Sequence, residues 1–190
     1  ERGNDNLKQL SWGIEQFISE EVQNLQKTFV IAPQCPSGKR WVEVNWDSTA
    51  HTMPENPSPA LEAAWNEIFT LSNELPIDTN RIYVVGLSMG GYGTWDLLQR
   101  YNSTIAAAVP VCGGGDAKLA ESMLEVPIWV FHSADDTVVP VSRSRDMFES
   151  IVEKGGNRIR YTEFSSEGHN SWSAPFESMA LYRWLFQHSR

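Results

Sequence analysis

Arg81-Ile82-Tyr83-Val84-Val85-Gly86-Leu87-Ser88-Met89-Gly90-Gly91 decides the fold. The stretch opens as an apolar, β-branched run suited to a strand buried on both faces. It breaks at Gly86-Leu87-Ser88-Met89-Gly90 and resumes as a helical pattern over residues 92–100. Strand, sharp turn and helix give the pattern G-x-S-x-G its mechanical meaning. The serine sits at the apex of a strained turn, and Gly86 and Gly90 are expected to keep bulk away where the strand and helix backbones approach. The Ser88 hydroxyl then projects from the sheet end. The helix N-terminus behind it offers free N–H groups to developing negative charge.

Working outward, helices and strands alternate along the chain. Upstream, Leu7, Leu10, Ile14, Phe17, Ile18, Val22 and Leu25 follow a rough helical spacing, so helix is expected somewhere in 7–26. Residues 28–32 read as a buried strand. Residues 33–59 form a long irregular stretch carrying Trp41 and Trp46, and loops of that length in compact domains commonly serve a function. An amphipathic helix follows over 59–74. Downstream come a strand at 105–111, a short helix at 116–123, a strand at 127–132, a helix at 141–153, a strand at 158–164 and a closing helix at 175–187. Phe176, Met179, Ala180, Trp184 and Leu185 are its expected inner face. The alternation implies an α/β fold, a doubly wound and mostly parallel sheet whose site lies at the carboxyl ends of the strands.

At 190 residues with a formal net charge of −9, the chain reads as one domain with a sizeable core. That charge disfavours nucleic acid and anionic membrane surfaces as partners. No apolar run has the length of a membrane span. The two cysteines, Cys35 and Cys112, match no metal motif. Two buried thiols are the default expectation, a bridge the alternative. No metal or cofactor is implied.

A serine hydroxyl needs a base, and the base needs an orienting acid. His169 lies in Glu167-Gly168-His169-Asn170-Ser171-Trp172, a loop after the last expected strand, where a base can reach over the sheet. His132 ends a strand and is the harder rival; His188 lies near the chain end on a helix. Asp135 and Asp136 both follow the strand that ends near His132, and only one can orient the imidazole.

These residues resemble the carboxylesterase and phospholipase-like branch of the α/β-hydrolases, which includes dienelactone hydrolase-like proteins, polyhydroxybutyrate depolymerase-like proteins and feruloyl esterases. The resemblance runs nearly end to end, through Glu1-Arg2-Gly3-Asn4-Asp5-Asn6, Ala32-Pro33-Gln34-Cys35-Pro36, Gly-Leu-Ser-Met-Gly-Gly around Ser88, and Gly168-His169-Asn170-Ser171-Trp172. The family pattern H-G-x-x-D-x-x-V-P, laid on His132 to Pro140, implies Asp136 as the acid, His132 as structural, and Asp135 as a turn residue. Ser133 stands where the family usually has glycine. The resemblance implies a serine carboxylesterase with catalytic Ser88, Asp136 and His169, and the Met89 N–H as one oxyanion donor. The second donor comes from an H-G-x-G segment expected upstream of Glu1, so the chain is expected to be an α/β-hydrolase catalytic domain over 1–190 that lacks its N-terminal strands. Family habit favours a secreted or periplasmic location.

The short connection between 111 and 127 leaves no room for a lid domain. An open site favours soluble or polymer-linked esters, short-chain or with aryl or sugar-linked groups. Trp41, Trp46 and Trp172 are the aromatic candidates for binding them. A serine peptidase of the prolyl oligopeptidase type, or a non-catalytic binding domain on the same scaffold, are the rival readings.

Overall fold

The computed structural model describes residues 2–190. Four parallel strands form one sheet in the order β1-β2-β3-β4: β1 (Tyr83–Leu87), β2 (Ala107–Val111), β3 (Ile128–Ser133) and β4 (Ile159–Phe164). Each crossover carries helix. The connection from β1 to β2 is α4 (Met89–Tyr101). A 3₁₀ segment (Ala117–Met123) joins β2 to β3, and α5 (Ser142–Glu153) joins β3 to β4. Parallel strands need such crossovers, and each crossover covers a face of the sheet.

The strand period of two divides the core cleanly. Ala108, Ile128 and Val130 point to one face, against Leu61, Trp65, Trp95, Leu98, Met123, Met147 and Ile151 from the helices there. Ala107, Val109, Val111 and Phe131 point to the other, against Trp172, Phe176, Leu181, Trp184 and Leu185. One helix of the first layer, α3 (Pro59–Ser72), starts with Ser58 accepting from the Leu61 N–H at 3.2 Å and Pro59 in its first turn, the start signal its sequence carries.

Three expected elements differ. Residues 28–32 are not a strand: they have no ladder partner among the described residues, and Phe29 is exposed. A strand exists only through a neighbour's N–H and C=O groups, so an apolar run without one stays extended coil. The upstream helix is broken into a 3₁₀ turn (Lys8–Leu10), α1 (Ile14–Phe17) and α2 (Glu20–Leu25). Trp12 and Gly13 adopt left-handed backbone before α1, and Ser19 caps α2 through the Val22 N–H, so no continuous stripe forms. Of the seven apolar residues expected on that stripe, only Val22 is buried. The closing helix is two pieces, α6 (Ser173–Glu177) and α7 (Met179–Leu185), because Ser178 turns extended and recaps the chain at Ala180. That break rephases the inner face: Leu181 and Tyr182 are buried, whereas Met179 and Ala180 are not.

The irregular stretch before α3 is pinned rather than loose. Val42 is buried, Tyr92 Oη donates to the Trp46 carbonyl at 3.0 Å, and the Met53 N–H donates to Asp116 at 3.0 Å. Both cysteines are free and buried.

Candidate active site

Ser88 sits between β1 and α4 with φ 51° and ψ −115°, a backbone conformation costly for any residue with a side chain. The turn is clamped from two sides. The Ser88 N–H donates to the Val111 carbonyl of β2 at 2.9 Å, and the Tyr92 N–H donates back to the Ser88 carbonyl at 3.1 Å. Glycine is needed where backbones touch: a Cβ on Gly86 would lie 2.2 Å from the Gly90 carbonyl oxygen, and one on Gly91 would lie 2.4 Å from that of Val111. Gly90 itself faces open space, so the second close approach falls one residue later than the motif suggests. Met89 opens α4, and a first helical residue has no intrahelical acceptor for its N–H.

His169 Nε2 lies 2.9 Å from Ser88 Oγ, and His169 Nδ1 lies 2.8 Å from Asp136 Oδ2. Nδ1 facing a carboxylate carries the proton, which leaves Nε2 to accept from the serine hydroxyl. The Asp136 side chain is out of solvent contact, whereas that of His169 is 23% exposed. Burial pushes the Asp136 carboxyl up, but hydrogen bonds from His132, His169 and the Val139 and Val138 N–H groups outweigh it. The carboxyl is held well below the usual carboxylate range.

The rival histidine is present and occupied elsewhere. His132 is fully buried; its Nε2 faces Asp136 Oδ2 at 3.2 Å and the Val139 carbonyl at 3.1 Å, and its Nδ1 lies 2.8 Å from Ser144 Oγ. The His188 carbonyl accepts from the Tyr83 hydroxyl at 2.7 Å, at the opposite end of β1 from Ser88. Asp135 does more than stabilise its own turn: its Oδ1 accepts from Ser133 Oγ at 2.6 Å and from the Gly168 N–H at 2.8 Å. The Glu167 N–H donates to Ser133 Oγ at 2.9 Å. Ser133 and Asp135 therefore bolt the loop after β3 to the loop that carries His169. A glycine at 133 would offer no such hydroxyl.

The three tryptophans singled out in the sequence take different places. Trp41 packs between α3 and α4, against Gly93 and Leu61. Trp46 lies beside Tyr92, Val42 and Val139, with the Arg40 guanidinium 4.5 Å and that of Arg2 5.8 Å from its ring. Trp172 is only 7% exposed and meets the His169 ring edge-on at 5.5 Å. Cys112 is a neighbour of the site that no sequence motif marks. It is fully buried with φ 39°, and its Sγ lies within 4.8 Å of the facing atoms of Asp136 and His169. Burial pushes its thiol up to about 12, so it stays neutral packing beneath the relay. The only hint in the sequence is its place at the end of the strand next to β1.

A wound parallel sheet with a serine at this elbow and an imidazole and carboxylate over its carboxyl edge defines the α/β-hydrolase class. The chain belongs to the PET hydrolase-like family, whose profile matches residues 49–186. It is similar to a thermostable esterase of known structure, with 40% identity and a TM-score of 0.92; the match covers 100% of this chain and 52% of that one. A 69-residue part is 33% identical to a bifunctional acetylxylan esterase/xylanase from Neocallimastix patriciarum, covering 36% of this chain and 10% of that protein. SOBER1 of Arabidopsis thaliana shares the fold at 17% identity, with a TM-score of 0.66 over 94% of this chain and 90% of its own. The chain thus spans about half the length of the esterase and a tenth of the curated relative.

Proposed function

We propose that the chain is the catalytic part of a serine carboxylesterase acting on short-chain or aryl- or sugar-linked carboxylic esters, small or carried on a polymer. The observation that carries this is the unbroken relay of 2.9 Å and 2.8 Å from Ser88 through His169 to Asp136. The similarity to a 40% identical esterase supports ester rather than amide chemistry. The acetylxylan esterase relative and the PET hydrolase-like family are consistent with a polymer-linked ester.

In this reading His169 Nε2 takes the Ser88 proton as the oxygen attacks the ester carbonyl. The Met89 N–H, with a second donor expected upstream, holds the oxyanion. His169 then returns the proton to the leaving alcohol. Water repeats the sequence on the acyl-enzyme. Asp136 stays ionised throughout and steadies the imidazolium, a role its depressed titration suits.

The test is a fluorophosphonate probe and an aryl acetate on the full-length protein. The probe should label Ser88, and Ser88→Ala should cut turnover by about four orders of magnitude or more. An unlabelled serine, or turnover undiminished in the variant, removes Ser88 from the chemistry. Faster cleavage of a matched prolyl amide than of the ester would favour the peptidase reading.

A further inference from the structure

Trp12 is the most unusual residue outside the relay. It holds φ 65°, a left-handed conformation that bulky side chains rarely adopt, and Gly13 follows at φ 90°. Strain of this kind persists where the surroundings over-determine it, and it gathers at ligand sites. The surroundings here are specific. A Cβ on Gly13 would sit 3.1 Å from Phe176, so α6 packs directly on the turn. The Trp12 ring meets Trp172 edge-on at 5.8 Å, and Trp172 meets His169 edge-on at 5.5 Å. Yet Trp12 remains 51% exposed, whereas Trp172 is 7% exposed.

The strained turn holds open a cleft of about 240 Å³ walled by Trp12, Trp172 and Phe176 and rimmed by Asn170, Glu15 and Glu177. It begins at the residue after His169. We propose that this cleft is a leaving-group subsite, which takes the flat neutral ring of an aryl or benzylic alcohol in the ester substrate. The inference rests on the esterase reading above.

Three arguments choose that occupant. The leaving oxygen must come within hydrogen-bond reach of His169 Nε2, so the alcohol half of the ester extends past the imidazole. Trp172 meets the imidazole edge-on at 5.5 Å and Trp12 lies 5.8 Å beyond it, so this pair is the aromatic surface bordering His169. The volume is below the usual range for a drug-sized ligand, so it suits a single ring. Perpendicular indoles present edges and a face to such a ring, and two rim carboxylates repel anionic alcohols while tolerating neutral ones.

The experiment compares benzyl acetate with ethyl acetate on the full-length protein. In Trp12→Ala the ratio of kcat/KM for benzyl over ethyl acetate should fall about tenfold, mostly through KM, and Trp12→Phe should restore most of it. An unchanged ratio in Trp12→Ala overturns the subsite. If the wild type turns over neither ester, the esterase reading fails, and that failure is distinct. Fluorescence gives a readout free of turnover. In Ser88→Ala, benzyl alcohol should protect the Trp12 signal, read as the difference from the same protein carrying Trp12→Phe, against acrylamide quenching. Lack of protection, or a Trp12 that acrylamide never reaches because the protein itself covers the cleft, also overturns the proposal.

Discussion

The end of β3 and the loop after β4 each bring a histidine to the same carboxylate oxygen, and they hold it in opposite ways. His132 is sealed from solvent, with hydrogen-bond partners on both ring nitrogens and the Val139 carbonyl as a third contact. Among the described residues the His169 ring hydrogen-bonds only to Asp136 and Ser88, and it keeps 23% of its side chain exposed. A base must meet both its nucleophile and an incoming substrate, so the sealed imidazole cannot be one. It can, however, keep Asp136 aimed. In the esterase reading proposed above, the contrast separates a ring placed to do chemistry from a ring placed to position, although a single carboxylate serves both.

The strongest way to break this contrast is His169→Ala. Turnover of an aryl acetate should drop by about four orders of magnitude, with the thermal midpoint little changed. His132→Ala should behave in reverse. It strips partners from Asp136, Val139 and Ser144 inside the protein, so unfolding free energy should fall by about 2–4 kcal/mol and turnover by only about 10–100-fold. Equal losses of rate in the two variants, with both folded, would erase the distinction.

A third imidazole sharpens it at the smallest effect. His51 faces Arg143 instead; burial first, and then that guanidinium, lower its pKa to about 4. Arg143 Nη2 donates to His51 Nδ1. Between the unfolded value of about 6.5 and the folded value of about 4, the unfolded chain binds the extra proton, so stability rises with pH across that window. His51→Gln should flatten that slope in denaturant titrations at several pH values while leaving turnover at neutral pH nearly unaltered. Loss of turnover instead would tie the 47–53 stretch to the site.

The wound core was legible because its signals are local. β1 to β4 and α3 to α5 each carry their own periodicity, and every one lies within a few residues of its expected bounds. The order serine, acid, histidine pointed to Ser88, to Asp135 or Asp136, and to His169, and the family resemblance chose Asp136; the fold brings Ser88, His169 and Asp136 into bonding distance. What failed was anything that needed a partner. Residues 28–32 have the composition of a strand and no neighbour to pair with among those described. The run 7–25 has helical spacing, but Trp12-Gly13 and Ser19 interrupt it. Cys112 and Trp12 carry no motif, and only their neighbours make them notable.

The chain's own order of residues settled the elbow, the alternation of strand and helix, and the candidates for nucleophile, acid and base, because spacing and turn chemistry act over a few residues. Only the folded arrangement sealed one of two histidines on the same carboxylate and left the other open to Ser88, turned Ser133 and Asp135 into a bolt between two loops, and set Trp12 against the Trp172 that borders His169. Those choices depend on which groups water can reach once distant segments pack, and burial is a property of the whole.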